Sequence, residues 1–171
     1  MSPTKRLRRL GAALAIAGGA AAFWQQSVGA GTATANLSVT ATVITNCTIS
    51  TATLAFGNYD PVITHASASL DGTGTVTIAC TKGSTTPIDL GLGNNASGST
   101  RRMASGSNYL TYELYQDSGR TTVWGTGAAG LTPAAAPSKV ARDFTVYGRI
   151  PGAQDLPAGS YSDSVNATVN F

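Results

Sequence analysis

The chain has 171 residues, enough for one domain of ordinary size and hardly for two, and charged residues make up only 11% of it. Its net charge of +3 and pI near 9.1 invite a nucleic-acid or membrane partner. However, Lys5, Arg6, Arg8 and Arg9 are four of the eleven basic residues, and the seven that remain face eight acidic ones, so the basic balance belongs to the first few residues alone. Low charge with 42% hydrophobic residues disfavours a disordered chain, and one His and two Cys leave little material for a metal site or a His-dependent catalytic centre.

Residues Met1 to Arg9 form a basic leader, and Leu10 to Phe23 are uncharged and mostly Ala, Leu, Ile and Gly. That run suits the apolar region of a signal peptide and is too short to span a bilayer comfortably. Val28-Gly29-Ala30 then places small residues where signal peptidase needs them, so residues 1–30 read as a signal peptide cleaved after Ala30. An uncleaved N-terminal anchor is the competing reading. No later segment approaches twenty consecutive apolar residues, so the mature chain has no membrane span.

After the leader, alternation is the dominant pattern and predicts strands. Ala33, Ala35, Leu37, Val39, Ala41 and Val43 alternate with Thr, Asn and Ser. Thr73 to Cys80 repeats the pattern through Val76 and Ile78, and Ile88, Leu90 and Leu92 repeat it again. Tyr109 to Gln116 and Thr121 to Trp124 flank Asp117-Ser118-Gly119 and read as a hairpin. Val140 to Ile150 and Tyr161 to Phe171 are the last two candidates. Gly91 to Gly106, Gly125 to Pro137 and Pro151 to Gly159 read as connectors. No stretch after Phe23 sustains helical periodicity, and many short strands between turn signals argue for an all-β sandwich. In an exported chain the two cysteines, Cys47 and Cys80, read as one disulfide. The loop they close is worth roughly 3–4 kcal/mol in the chain-entropy model.

The same sequence offers little chemistry. The carboxylates Asp60, Asp71, Asp89, Glu113, Asp117, Asp143, Asp155 and Asp163 sit mostly in or beside turns, and nothing selects a glycosidase pair among them. There is no Gly-x-Ser-x-Gly elbow and no phosphate loop after Gly72-Thr73-Gly74. His65 lies in a polar stretch and reads as a solvated histidine. Arg101-Arg102 reads as two exposed loop arginines. Tyr112, Tyr115, Trp124, Phe144 and Tyr147 fit a core or sheet face better than a sugar-binding platform. No catalytic, cofactor or metal residue is assigned, and no nucleic-acid partner is expected.

The ends of the chain carry the most information. The mature chain begins with uncharged alternation from Gly31 to Thr42 and ends on an alternating strand with Phe171 as its last residue. A free apolar strand is an aggregation hazard unless something pairs with it, and one route is addition to another sheet. The pattern equally allows Gly31 to Ile49 to be one long first strand of a closed sandwich.

The run Leu110-Thr111-Tyr112-Glu113-Leu114-Tyr115-Gln116-Asp117, followed by Arg120 to Gly125, resembles the central signature of the spore coat U domain family. Val146 to Pro151, Pro157 to Asp163 and Val165 to Phe171 resemble its C-terminal signature. Ala41 to Ile49 and Val76 to Cys80 are similar to its two cysteine strands. The resemblance covers residues 33–171 in order. It implies a subunit of the archaic chaperone–usher, Csu-type pili: an incomplete immunoglobulin-like β-sandwich completed by donor-strand complementation. A periplasmic chaperone lends the missing strand, and at the outer-membrane usher the next subunit's N-terminal strand replaces it. Carried onto this chain, residues 31–42 are the donor segment, with Ala35, Leu37, Val39 and Ala41 as plugs. Residues 43–171 are the sandwich domain, with Val165, Ala167, Val169 and Phe171 on the acceptor edge. The resemblance also implies export to the cell surface as a homopolymeric fimbrium that supports attachment and biofilm formation. A non-fibrous surface or spore coat protein of the same fold, and a tip adhesin or carbohydrate-binding module, are the alternatives.

Overall fold

The computed structural model describes residues 29–171, so the expected signal peptide lies almost wholly outside the described residues. Seven strands follow in chain order: β1 Cys47–Ala52, β2 Leu70–Cys80, β3 Ile88–Leu90, β4 Arg101–Ser105, β5 Asn108–Tyr115, β6 Arg142–Ile150 and β7 Ala167–Val169. All pairings are antiparallel, and they build a five-stranded sheet in the order β1-β2-β6-β5-β4 and a two-stranded sheet of β3 and β7. There is no α-helix among the described residues, only a single 3-10 turn at Gly127–Ala129. The all-β expectation holds.

The alternation in the sequence is what folds this way. Val76, Ile78 and Cys80 of β2, Leu110, Tyr112 and Leu114 of β5, and Val146 and Ile150 of β6 are buried, while their Thr and Tyr neighbours face outward. Those inward residues share one core cluster with Ile88 and Leu90 of β3, with Trp124 and Ala136, and with partly buried Ala167 and Val169 of β7. The cluster is therefore a two-sheet sandwich core. Trp124 is 0% exposed, and its indole N–H donates to the Ile88 carbonyl at 2.8 Å, so its one polar atom is matched inside the core.

Cys47 and Cys80 are register partners across β1 and β2 and are joined by a disulfide, as expected. The bridge pins the edge strand β1 to the sheet at one end. Replacing both cysteines by serine is expected to lower the unfolding free energy by about 2–5 kcal/mol, read as a lower urea midpoint with a somewhat steeper slope, because the unlinked unfolded chain exposes more surface.

Behind β1 the chain crosses the inner face of the sheet on a glycine floor. A Cβ at Gly74 would lie 2.9 Å from the Leu54 side chain, and one at Gly148 would lie 2.7 Å from the Phe56 ring. The missing side chains on β2 and β6 are what let Leu54 and Phe56 lie inside the sandwich.

Several readings need correction, among them the strand expected from Tyr161 to Phe171, which is regular only at Ala167–Val169. Residues 31–46 form no strand, because a strand needs a ladder partner and the first ladder begins at Cys47. The expected connector Gly91 to Gly106 contains β4, whose pairing with β5 overrides its Gly- and Ser-rich flanks. Thr121 to Trp124 returns along β5 through the Tyr115–Val123 bridge and two backbone hydrogen bonds without forming a full strand. Arg101 is not an exposed loop residue: it is 1% exposed, and its guanidinium donates to the carbonyls of Leu90, Gly91 and Trp124 and pairs with Glu113. A guanidinium carries enough donors to satisfy three carbonyls and a carboxylate at once, which makes it the cation that can sit there. Arg102 stays at the surface, over the ring of Tyr109.

Candidate strand-acceptor site

The segment leading into β7 is bonded along one edge only. Ser162 exchanges backbone hydrogen bonds with Ala104, the carbonyls of Ser164 and Asn166 accept from Asn94 and Gly91, and Asn170 donates to Pro87. Thr168 lies opposite Asp89 in the β3–β7 ladder. All these positions are even-numbered. Backbone groups alternate between the two edges of a strand, so the N–H and C=O groups of Val165, Ala167 and Val169 point to the opposite edge. No strand pairs with β7 on that side among the described residues. The side chains of the same odd-numbered residues turn inward, and all three are half-buried.

The open edge borders an apolar cavity of about 450 Å³. Val76, Leu90, Tyr112, Leu114 and Val146 line it from the two sheets. Ala52, Leu54 and Phe56 line it from the segment after β1, and Tyr161, Val165 and Ala167 from the segment before and within β7. A second cavity of about 560 Å³ shares Leu54, Phe56, Met103 and Tyr161 with the first and adds Leu110, Ile150 and Leu156. Both are open clefts, and a sandwich packed to normal density does not leave a groove of this size beside its strands. The space has the character of a missing element.

One carboxylate lies in the wall of the first cavity, that of Asp163. Its Oδ1 accepts from the backbone and side-chain N–H groups of Asn95 at 3.1 and 3.0 Å, and its Oδ2 accepts from the Tyr112 hydroxyl at 2.7 Å. Burial and this carboxylate together hold the Tyr112 phenol well above the ordinary tyrosine range, so it stays a donor. Both Asp163 oxygens are occupied within the fold, and the groove asks for no cationic ligand. Its chemistry suits an uncharged, apolar extended segment whose backbone completes the ladder.

Of the four expected acceptor residues, the structure brings Val165, Ala167 and Val169 together on the open edge. Phe171 is 63% exposed, and Val169 and Phe171 both lie outside the cavity lining. The four expected plug residues are exposed, Leu37 at 86% and Val39 at 83%, on a segment with no regular secondary structure. Residues 41–171 form one compact unit. Sequence reasoning missed Leu54, Phe56 and Tyr161 as groove residues. The signal for the first two was spacing: Leu54 and Phe56 follow β1 at the two-residue interval of a strand.

The family model for the Spore Coat Protein U domain matches residues 33–168. The chain belongs to the Spore Coat Protein U domain family. A relative, Protein U of Myxococcus xanthus, is 41% identical over 157 residues, which cover 83% of this chain and 87% of that protein. Among solved structures, the chain is similar to the chaperone–tip adhesion subunit pre-assembly complex from the archaic chaperone–usher Csu pili of Acinetobacter baumannii. The TM-score is 0.55 at 22% identity, over 76% of this chain and 40% of that one. At that identity the likeness speaks for a common fold. Within the Spore Coat Protein U domain of this chain, the match begins at Ala33, inside the exposed apolar segment, and so includes it with the sandwich.

Proposed function

We propose that this chain is a structural subunit of an archaic chaperone–usher pilus that polymerises by donor-strand exchange. The observation that carries the proposal is the pairing of two complementary defects in one chain: an open β7 edge over an apolar groove, and an exposed, uncharged, alternating segment at residues 31–42. Ala35, Leu37, Val39 and Ala41 of one copy would enter the groove of the next, against Val165, Ala167 and Val169. Each fully buried Leu or Val contributes roughly 1.5–3 kcal/mol, and the ladder fixes the register. The small Ala35 and Ala41 fill their part of the groove only shallowly. A periplasmic chaperone and an outer-membrane usher are the partners such a subunit requires before assembly. The destination is the cell surface, as a fimbrium supporting attachment and biofilm formation, and the role is structural with no catalysis.

The test is competition. Full-length mature chain should form linear polymers visible by electron microscopy. A synthetic peptide of residues 33–43, in excess, should cap the groove and shift the chain to monomers in size-exclusion chromatography. Polymers that ignore the peptide, or a chain that never associates, would sink the proposal. A second reading, a secreted coat protein of the same fold, is supported by the match of residues 33–168 to the Spore Coat Protein U domain. It predicts association without linear fibres.

A further inference from the structure

His65 is the single histidine of the chain and does not sit in solvent, as its polar surroundings in the sequence suggest it should. It is 7% exposed and stacks on the Tyr59 ring, with centroids 4.9 Å apart and planes 15° from parallel. Its Nδ1 accepts a hydrogen bond from the backbone N–H of Asp60 at 3.0 Å, and its own backbone N–H donates to the Asp60 carbonyl at 2.8 Å. The turn between them is closed on its other side by the Asp60 carboxylate, which accepts from the backbone N–H groups of Val62, Ile63 and Thr64. Those three bonds hold the Asp60 carboxyl below the usual carboxylate range.

From this turn a chain of bonds runs to the sheet. The His65 carbonyl accepts from Ala153 N–H, the Tyr59 hydroxyl donates to the Pro151 carbonyl at 3.1 Å, and Gln154 N–H donates to the Tyr59 hydroxyl at 3.0 Å. The Gln154 side chain then bonds Thr111 of β5 through its N–H, hydroxyl and carbonyl. Tyr59 and Pro61, on either side of Asp60, line the second cavity.

We propose that His65 is a proton-sensitive latch that holds the 60–65 turn and, through Tyr59, the wall of the second cavity. An Nδ1 that accepts must carry no proton, so the latched form is the neutral Nε2–H tautomer. Protonation places two N–H donors face to face and costs the Asp60 bond. The charged group facing the imidazole is the Asp60 carboxylate. Tyr59 presents an uncharged ring, the packed segment Pro151 to Gln154 carries no ionisable side chain, and the exposed Asp155 follows it. The retained attraction to Asp60 cannot restore the lost acceptor, so acid loosens the turn without expelling the ring. The proposal is independent of strand exchange.

The test uses the full chain and two readouts. With isotope-labelled histidine, all imidazole signals belong to His65, and nitrogen shifts at pH 7.5 should show the Nε2–H tautomer. Hydrogen-exchange mass spectrometry, corrected for intrinsic exchange, should show peptides spanning residues 58–66 losing protection at least tenfold between pH 7.5 and 5.0. His65→Asn, which keeps an acceptor but cannot titrate, should show no such loss. An Nδ1–H tautomer, unchanged wild-type protection, or an equal loss in His65→Asn overturns the latch. If His65→Asn does not fold, the tautomer and the wild-type exchange decide it.

Discussion

Replacing Arg101 by methionine is expected to lower the unfolding free energy by about 3–5 kcal/mol, since it removes a buried guanidinium that satisfies three carbonyls and pairs with Glu113. The methionine would fill most of the volume. It would leave the carbonyls of Leu90, Gly91 and Trp124 without their shared donor and the half-buried Glu113 without its cation. These carbonyls belong to the end of β3 and to the chain beside Trp124, so the loss falls where the two sheets are tied together. Arg101→Lys keeps the charge but not the planar fork, and an intermediate loss is expected. In Arg101→Met combined with Glu113→Gln, the unpaired charge is gone but the three carbonyls are still orphaned, so only part of the loss should return. Urea unfolding measures all three variants. A change below about 1 kcal/mol for Arg101→Met would mean that water reaches these carbonyls.

The second large effect falls on assembly and not on folding. Val39→Asp is expected to reduce self-association by at least about a thousandfold, because burying an unpaired carboxylate costs several kcal/mol and each 1.4 kcal/mol is tenfold in affinity. Ser38→Asp is the control. It adds the same charge one residue away, on the face that the strand period turns outward, and should weaken association only slightly. Val39 is exposed in the single chain, so neither change should move the midpoint of urea unfolding of the residue 41–171 unit. Equal effects of the two substitutions on association, read by light scattering, would show that the segment does not enter a groove with a defined register.

Both features differ in how far the sequence announces them. The long strands β2, β5 and β6 are legible because Val76, Ile78, Leu110, Tyr112, Leu114, Val146 and Ile150 fall on the inward faces of their strands with mostly polar residues between them. The disulfide is legible because an exported chain with two cysteines has one way to pair them. β4 is hidden because an arginine occupies an inward position, and an isolated charge at a core position reads as surface unless its partners are known. Glu113, Leu90 and Trp124 supply them from three separate elements of the fold. His65 is hidden for the same reason: its acceptor is satisfied by a backbone N–H five residues earlier, which no side-chain pattern records. The open edge is legible only in part. Alternation from Val165 to Phe171 marks a strand, but which edge lacks a partner depends on the fold, and the Leu54–Phe56 wall depends on glycines at 74 and 148.

The most direct measurement moves the segment within one chain. Residues 33–43 are deleted from the N-terminus and placed behind Phe171 through a short flexible linker, and mass is read by light scattering alongside thermal unfolding. The groove account predicts a monomer that melts more than about 10 °C above the parent, since several apolar side chains and a full ladder are gained at low entropic cost. A parent that is already a stable monomer, with no gain from the relocated strand, would contradict it.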